Sequence, residues 1–367
     1  MSDETTSKAS PAGFADSNDR TVGLIPAAKP FSVSKPQPAG TKPYRDFSDF
    51  LSEHFSGKVQ KISINAGFTC PNRDGKVGRG GCTFCDNAAF HPGYSIPGKS
   101  LAEQIEEGIV FHRVRYPRAA HYLAYFQSYS NTYADLETLR GLYCSVLGHP
   151  SVVGIVIGTR PDCVDGAKLD FLADLARGAV LPGWRRCLKD GSVLTSPVVV
   201  VEYGIESCHD KTLARINRGH DFECACRAVR QTAERGIDTG AHFILGLPGE
   251  TPEMLLDQCS LISALPLRSV KFHQLQIVRG TRIEKEFEAA PEDFLRLGLD
   301  EYVGFAVSIL ERLRPDLFIE RIAGEVPPRF VKQTPWGLVR NADILHLLDA
   351  KLEELDTYQG RLYAQGL

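Results

Sequence analysis

The sequence lacks a long apolar run and an excess of charge of either sign. No stretch of about 18 consecutive apolar residues occurs, which argues against a transmembrane helix. The 42 lysines and arginines nearly balance the 45 aspartates and glutamates of the 367-residue chain. This balance excludes the basic surface of a dedicated DNA coat protein, and the hydrophobic fraction of 43% excludes a fully disordered chain. We therefore expect a globular protein without a membrane anchor.

The first thirty residues also lack the apolar segment of a signal peptide, and several acidic residues interrupt them. We therefore predict a cytoplasmic protein, in which thiols are kept reduced. The chain has 10 cysteines. In a reducing compartment, cysteines that cluster at a fixed spacing point to a metal rather than to disulfide bridges. The chain has one such cluster.

Short apolar runs alternate with helical patterns through most of the chain. Residues 1–42 are the exception, since they are rich in Ser, Ala, Pro and Lys and lack periodicity, and they predict a disordered N-terminal tail. The third and fourth apolar runs are continuous rather than alternating, as in parallel strands that are covered on both faces. The predicted strands are residues 59–65, 121–126, 152–157, 198–202, 241–245 and 270–275.

Helix signals lie between these predicted strands. Ser100 with Glu103 forms a capping box, and Thr251 followed by Pro252 has the cap and first-turn proline of a helix start. Repeated strand–helix units imply right-handed crossovers and a parallel sheet. Six units are fewer than the eight of a complete barrel. We therefore predict an α/β fold, a partial (β/α)6 TIM-like barrel with parallel strands.

The predicted barrel forms a core domain over residues 43–290. A mostly helical C-terminal extension is predicted over residues 291–367, with helices at 294–313 and 342–358. Residues 317–322, between these two helices, are predicted to form an additional strand.

The most informative segment holds Cys70, Cys82 and Cys85. It directly follows the first predicted strand, and loops at that end of barrel strands carry catalysis. Three thiolates with one Cys-x-x-Cys pair hold a soft metal centre, either zinc or an iron–sulfur cluster. Structural zinc is usually closed by four protein ligands, and His91 is a feasible fourth. An iron–sulfur cluster on three cysteines instead has one open iron, and the spacing does not decide between the two.

The same cysteines resemble the cluster motif of the radical S-adenosylmethionine (SAM) superfamily, with the extended spacing of its Elongator-type branch. The segment Asn65-Ala-Gly-Phe-Thr-Cys-Pro-Asn-Arg-Asp-Gly is similar to that of the YhcC-like radical SAM proteins. The resemblance implies a 4Fe-4S cluster on the three cysteines whose open iron binds SAM. It also implies an enzyme that cleaves SAM to a 5′-deoxyadenosyl radical, with a one-electron donor such as flavodoxin or ferredoxin.

The resemblance further implies SAM contacts at the ends of successive strands. Many of these proteins have a Gly-Gly-Glu motif after the second strand, whose polar groups accept hydrogen bonds from the SAM amine. This chain lacks the motif. Gln127, Ser128 and Asn131 are replacement candidates, although a polar turn is an equally good interpretation. Arg160, in Thr-Arg-Pro-Asp after the third strand, is a candidate to pair with a carboxylate. A structural ion pair is the alternative for Arg160.

Later segments complete the implied SAM site. Glu202 and Glu206, in Glu-Tyr-Gly-Ile-Glu, belong to a segment similar to the one that contacts the ribose and methionine of SAM. Arg218 is a candidate for the methionine carboxylate, or else a cation at a helix C-terminus. Gly246 lies in Gly-Leu-Pro-Gly-Glu, which resembles the adenine-contact motif, where glycine permits close backbone approach.

The second substrate stays open at this point. Resemblance to Elongator-type enzymes points to tRNA, but the slight net acidity and the absence of a Lys/Arg run give no electrostatic support for RNA. A small metabolite or another protein is equally compatible with the sequence. The alternative to an enzyme is a non-enzymatic zinc or iron–sulfur binding module that acts as an interaction protein.

Overall fold

The structure is a computed structural model that describes residues 42–86, 89, 92–332, 336–337 and 339–363. The predicted tail therefore lies outside the described residues except for Lys42, and so does His91. Within the described part of the chain the strands are β1 (Val59–Ile64), β2 (His121–Phe126), β3 (Val152–Thr159), β4 (Arg186–Cys187), β5 (Val193–Leu194), β6 (Val198–Glu206), β7 (Asp238–Leu245), β8 (Ser269–Gln274) and β9 (Phe318–Arg321).

All strands of the main sheet are parallel, and their order is β1-β2-β3-β6-β7-β8-β9. The six predicted strands are confirmed. The additional strand predicted at residues 317–322 is also present, as β9 on the edge beside β8. Strands β4 and β5 form a separate antiparallel pair. Lys61 on one edge strand lies 2.7 Å from Glu320 on the other, so the sheet curls into a half-barrel.

Helices connect the strands, and the predicted start signals are present. Ser100 and Asp221 accept hydrogen bonds from the first turns of the helices that follow them, as Thr251 does. The helices are α1 (Phe47–His54), α2 (Pro71–Asp74), α3 (Leu101–Arg115), α4 (Leu136–Gly148), α5 (Gly166–Ala176), α6 (Asp210–Arg215), α7 (Phe222–Ala233), α8 (Pro252–Ser263), α9 (Arg282–Ala289), α10 (Leu299–Arg312) and α11 (Asn341–Glu354).

The C-terminal helices differ from their predicted bounds at their ends. Helix α10 begins at Leu299 rather than at residue 294, because a 3-10 turn at Pro291–Asp293 precedes it and Gly298 caps it. Helix α11 ends at Glu354, four residues earlier than predicted. The prediction of a mostly helical segment after residue 290 is otherwise consistent with the structure, whereas the domain boundary at 290 stays a prediction.

The apolar core lies mainly between the convex face of the sheet and the surrounding helices. Ile155 and Ile157 of β3 and Val201 of β6 are fully buried, as expected for continuous apolar strands. The concave face is different, because polar and charged side chains line part of it. No helix in the described ranges is long and apolar enough to cross a membrane.

Candidate active site

The concave face of the sheet encloses a cavity of about 660 Å³, which we call the main cavity. One end is lined by loops that follow the strands, among them the cysteine loop, which comprises residues 65–86. The other end is lined by residues near the strand starts, such as Val59, and by Phe47 and Leu51 of α1. The half-barrel thus brings the cysteine loop and several of the other sequence motifs to one end of this chamber.

The cysteine loop folds back on itself immediately after Cys70. Helix α2 makes one turn, and the backbone N–H of Gly81 then donates to the carbonyl of Asn72 over 2.8 Å. At Gly78 a Cβ atom would lie 2.2 Å from Asn72 Oδ1, so a larger residue would require the Asn72 side chain to shift. These contacts return the chain to its starting point and bring Cys82 back toward Cys70.

All three thiols of the cysteine loop line the main cavity and none forms a disulfide. The pKa of Cys85 is raised to about 11, chiefly by burial and then by the neighbouring Cys82 and Cys70, against the lowering effect of Arg73. Such electrostatic effects act over short distances, so Cys70 and Cys82 lie near Cys85. The structure thus brings together the cysteines that the sequence singled out.

The grouping of the thiols is compatible with an iron–sulfur cluster. Within the described ranges, no group of three His, Cys, Asp or Glu side chains could hold one metal ion. His91, the fourth ligand in the zinc alternative, lies outside the described residues. A 4Fe-4S cluster binds each cysteine at a different iron, so its sulfurs do not need to meet at one point. Three cavity-facing thiols on a tightly folded loop are therefore a suitable cradle for such a cluster.

Arg218 reaches the cysteine loop from the segment that follows α6. Its Nη1 donates to Cys82 Sγ over 3.4 Å, and its Nη2 donates to the carbonyl of Gly204. Glu206 lies 3.5 Å from the same guanidinium. Although burial acts to lower the pKa of Arg218, Cys82 and Glu206 raise it overall. The structure places Arg218 three residues beyond the end of α6, in contact with a cluster cysteine.

The candidates for the SAM amine divide into two groups. Gln127 and Ser128 line the main cavity, and Gln127 Oε1 accepts from Ser63 Oγ over 3.1 Å. Asn131 instead donates to the carbonyls of Phe126 and Gly158, which is the polar-turn interpretation. Ser130, which sequence reasoning missed, lines the same wall.

Arg160 forms the structural ion pair that was the alternative interpretation. Its Nε and Nη2 donate to the carboxylate of Asp162 over 2.8 and 2.7 Å, which is a bidentate ion pair. The remaining Nη1 is buried and has no partner among the described residues. Because Arg160 also lines the main cavity, this nitrogen is available to a ligand with an acceptor group.

Glu202 and Glu206 lie on the same face of β6 but in different surroundings. Glu206 lies near the cysteine loop at a bulge, with φ +76°, a strained conformation for a residue with a side chain. Glu202 lies deeper and is 1% exposed. Burial acts to raise the pKa of Glu202, but the ammonium groups of Lys271 and Lys61 hold it well below its usual range.

Four charged or titratable side chains surround Glu202. The sequence does not single out Lys61, His242 or Lys271 as site residues. The available signal was a charged or titratable residue inside a predicted strand, which a buried strand rarely tolerates without a partner. The four side chains are Lys61, His242, Lys271 and Glu320.

Gly246 lies directly after β7 with φ +84°, and it lines a second cavity of about 710 Å³. This second cavity shares a wall with the main cavity, formed in part by Gln274 and Leu275. Aromatic side chains, among them Phe294 and Trp336, line much of it. A planar apolar group would pack well there.

Comparisons with known proteins agree with this geometry. The profile of the Radical SAM superfamily matches residues 69–262, and that of the Radical_SAM C-terminal domain matches residues 267–354. The chain is 33% identical to protein YtqA of Bacillus subtilis, over 88% of this chain and 93% of that protein. It is 36% identical to protein YhcC of Escherichia coli K12, over 76% of this chain and 82% of that protein.

Among solved structures, archaeal Elp3 of Methanocaldococcus infernus with an N-terminal deletion aligns with a TM-score of 0.58 at 14% identity. The alignment covers 83% of this chain and 65% of that chain. At this identity the likeness concerns the fold alone, and it agrees with the half-barrel.

Proposed function

Because the chain belongs to the radical SAM superfamily, we propose that it cleaves SAM reductively at a 4Fe-4S cluster held by Cys70, Cys82 and Cys85. It is a radical SAM enzyme, and enzymes of this superfamily bind a 4Fe-4S cluster and SAM. Membership of an enzyme family overturns the alternative of a non-enzymatic binding module. The observation that carries the proposed roles is the convergence of the three thiols on the main cavity.

When bound, the cluster supplies the electron that breaks the sulfonium–ribose bond of SAM, which releases methionine and a 5′-deoxyadenosyl radical. The protein holds and shields these groups. The cysteine loop presents its thiols to the cavity, and Arg218 places a positive charge beside Cys82. A donor at this sulfur stabilises the additional negative charge of the reduced cluster.

The proposed SAM contacts follow from which polar atoms remain available. Gln127 and Ser128 line the cavity, and their oxygen atoms are proposed to accept hydrogen bonds from the SAM amine. Arg160 has one unpartnered nitrogen for the SAM carboxylate. Of the two carboxylates predicted at the ribose, we propose Glu206, because cations take both oxygens of Glu202. Gly246 would let the adenine approach the backbone.

The second substrate, the electron donor and the cellular location are further parts of the same proposal. The radical takes a hydrogen atom from a second substrate, and a small metabolite or tRNA is compatible with the sequence. A one-electron donor such as flavodoxin or ferredoxin would reduce the cluster. The cytoplasmic location also stays a prediction.

Anaerobic reconstitution tests the proposed function. We expect the wild-type protein to bind about four irons and, with dithionite, to form 5′-deoxyadenosine from SAM. Single alanine substitutions at Cys70, Cys82 and Cys85 should abolish both iron binding and product formation. The exposed Cys187, on the β4–β5 pair, provides the matched control, since Cys187→Ala should retain both. Stoichiometric zinc without iron, or normal SAM cleavage after replacement of all three cysteines, would contradict the proposal.

A further inference from the structure

Five charged or titratable side chains form a layer across the concave face of the sheet, deeper than the cysteine loop. Each comes from a different strand, and all five line the main cavity. The proposed cleavage of SAM does not use them. We call this set the inner charged layer, which consists of Lys61 on β1, Glu202 on β6, His242 on β7, Lys271 on β8 and Glu320 on β9.

The two ammonium groups of the layer each contact both carboxylates. Lys61 Nζ lies 2.6 Å from Glu202 Oε1 and 2.7 Å from Glu320 Oε1. Lys271 Nζ lies 2.7 Å from Glu202 Oε2 and 2.8 Å from Glu320 Oε1. His242 Nε2 lies 2.9 Å from Glu202 Oε2. Three of the four carboxylate oxygens therefore have partners.

The fourth oxygen, Glu320 Oε2, is buried and has no partner within the described part of the chain. The side chain of Glu320 is 10% exposed. An unmet acceptor on a buried carboxylate destabilises a fold, and packed apolar side chains usually stabilise as well as a buried ion-pair network does. Stability therefore does not explain the layer. Because Glu320 lines the main cavity, a bound molecule can supply the missing donor.

His242 offers a second acceptor in the same layer. When the neutral ring donates its Nε2–H to Glu202, the other ring nitrogen, Nδ1, carries a lone pair. The lysine charges are balanced by the two carboxylates, so the layer has no surplus cation for a phosphate. What it offers a ligand is hydrogen-bond acceptors. The complementary group is a hydroxyl or an amine.

We propose that the inner charged layer binds the second substrate, a small polar molecule whose O–H or N–H group donates to Glu320 Oε2. This inference rests on the proposed function, since the substrate must lie within reach of the radical. The main cavity, of about 660 Å³, must also hold the methionine end of SAM, so it favours a small second substrate. The chain's slight net acidity gives no electrostatic support for an RNA.

Deuterium transfer provides the test. Cells grown on deuterated medium yield three probes: an aqueous small-molecule fraction, a purified RNA fraction and a solvent-extracted lipid fraction. When the 5′-deoxyadenosyl radical takes a deuterium atom from a substrate carbon, it becomes monodeuterated 5′-deoxyadenosine and leaves a substrate radical. We expect mass spectrometry to detect this label with wild-type protein and the aqueous small-molecule fraction. Label obtained only from RNA or lipid would overturn the inference.

Two variants test whether deuterium labelling depends on the inner charged layer. Glu320→Gln removes the free carboxylate oxygen and should reduce labelling about ten-fold or more, the effect of losing a charged hydrogen bond. Glu311→Gln is the matched control, because Glu311 is an equally buried glutamate that pairs with Arg361 away from the main cavity. Its labelling should equal that of the wild type.

The outcomes separate the inference from the proposed function. If wild-type protein forms no 5′-deoxyadenosine, the proposed function fails. If it forms 5′-deoxyadenosine but Glu320→Gln is labelled like Glu311→Gln, the inference alone fails. Should Glu320→Gln not fold, as judged by circular dichroism, His242→Phe keeps an aromatic ring but removes the second acceptor, and it should reduce labelling in the same way. Unchanged labelling in His242→Phe would then count against the inference.

Discussion

The cysteine loop and the inner charged layer lie in one cavity but are built in opposite ways. The loop is a contiguous segment after one strand, and its shape depends on local backbone bonds such as that between Gly81 and Asn72. The layer takes one residue from each of five strands and exists only after the sheet has curled. We infer that the loop combines local bonds with long-range ones, such as the bond from the Thr83 N–H to the Ile216 carbonyl, whereas the layer consists of long-range contacts alone.

The cysteine loop and the inner charged layer also differ in how their charges are balanced. The loop concentrates three thiols and depends on Arg218 and Arg73 for positive charge nearby. The layer balances its own charges, since two lysines face two glutamates. A substitution in the loop should therefore change cofactor properties first, whereas a substitution in the layer should change stability first.

The largest expected effect on stability comes from breaking the layer at Lys271. Lys271→Met leaves Glu202 and Glu320 with one ammonium group between them in a buried site. Removing one partner of a buried ion pair typically costs about 3–5 kcal/mol of unfolding free energy. Urea denaturation of the protein without cofactors measures this change.

A surface lysine provides the control for Lys271→Met. Lys332 pairs with Glu288 over 2.6 Å at the surface, where solvent screens the interaction. Lys332→Met should therefore change the unfolding free energy by a small fraction of the Lys271→Met effect. Equal effects of the two substitutions would show that the layer is not energetically distinct from the surface.

Glu250, which follows β7, is a buried carboxylate without the cations that serve the layer. It accepts from Ser207 Oγ over 2.6 Å and from the N–H of Leu247 over 3.3 Å. Burial raises the pKa of Glu250 to about 7 from 4.5. The comparison with Glu202, whose pKa is lowered, shows that nearby cations decide the direction of the shift.

Glu250→Gln should therefore stabilise the protein at high pH. In the wild type, the stability contributed by protonated Glu250 is complete below about pH 4.5 and is lost as pH rises to about 7. The neutral glutamine avoids this loss, so its advantage should grow from near zero at about pH 5 to a plateau on the order of 3 kcal/mol above about pH 7. Denaturation at several pH values measures it. An advantage that does not vary with pH would contradict the raised pKa.

The comparison also explains which features the sequence could predict. Cys70, Cys82 and Cys85 are close in the chain, so their spacing alone identified a metal-binding loop. Continuous apolar runs identified the parallel strands because burial on both faces leaves that pattern. β9 was foreseen only as an additional strand, and its pairing with β8 follows from tertiary structure.

The inner charged layer could not be predicted in the same way. Lys61 and Glu320 are separated by 259 positions, and only the curl of the sheet brings them together. The local signal, a charged residue within a strand, does not indicate its partner. Likewise, nothing near Arg218 in the sequence shows that its guanidinium lies against Cys82. Contacts that form only when the sheet curls therefore cannot be predicted from the sequence alone.

The smallest expected effect concerns Arg218, where the cysteine loop depends on a residue from elsewhere in the chain. Removing the N–H donor at Cys82 should disfavour the more negative, reduced cluster, since hydrogen bonds to cluster sulfurs raise the potential. Arg218→Gln should therefore lower the midpoint potential of the reconstituted cluster by ~50 mV. A redox titration followed by electron paramagnetic resonance, without SAM, measures the shift.

Two further variants separate this role from the predicted contact with the methionine carboxylate. Arg218→Lys keeps a positive charge near Cys82 and should recover part of the potential. Arg215→Gln removes a half-exposed arginine that pairs with Asp293 and should leave the potential unchanged. If Arg218 acted only on the SAM carboxylate, Arg218→Gln would weaken SAM binding while its SAM-free potential matched that of Arg215→Gln. A shift seen without SAM therefore assigns Arg218 to the cluster, because no carboxylate of the cofactor is then present to account for it.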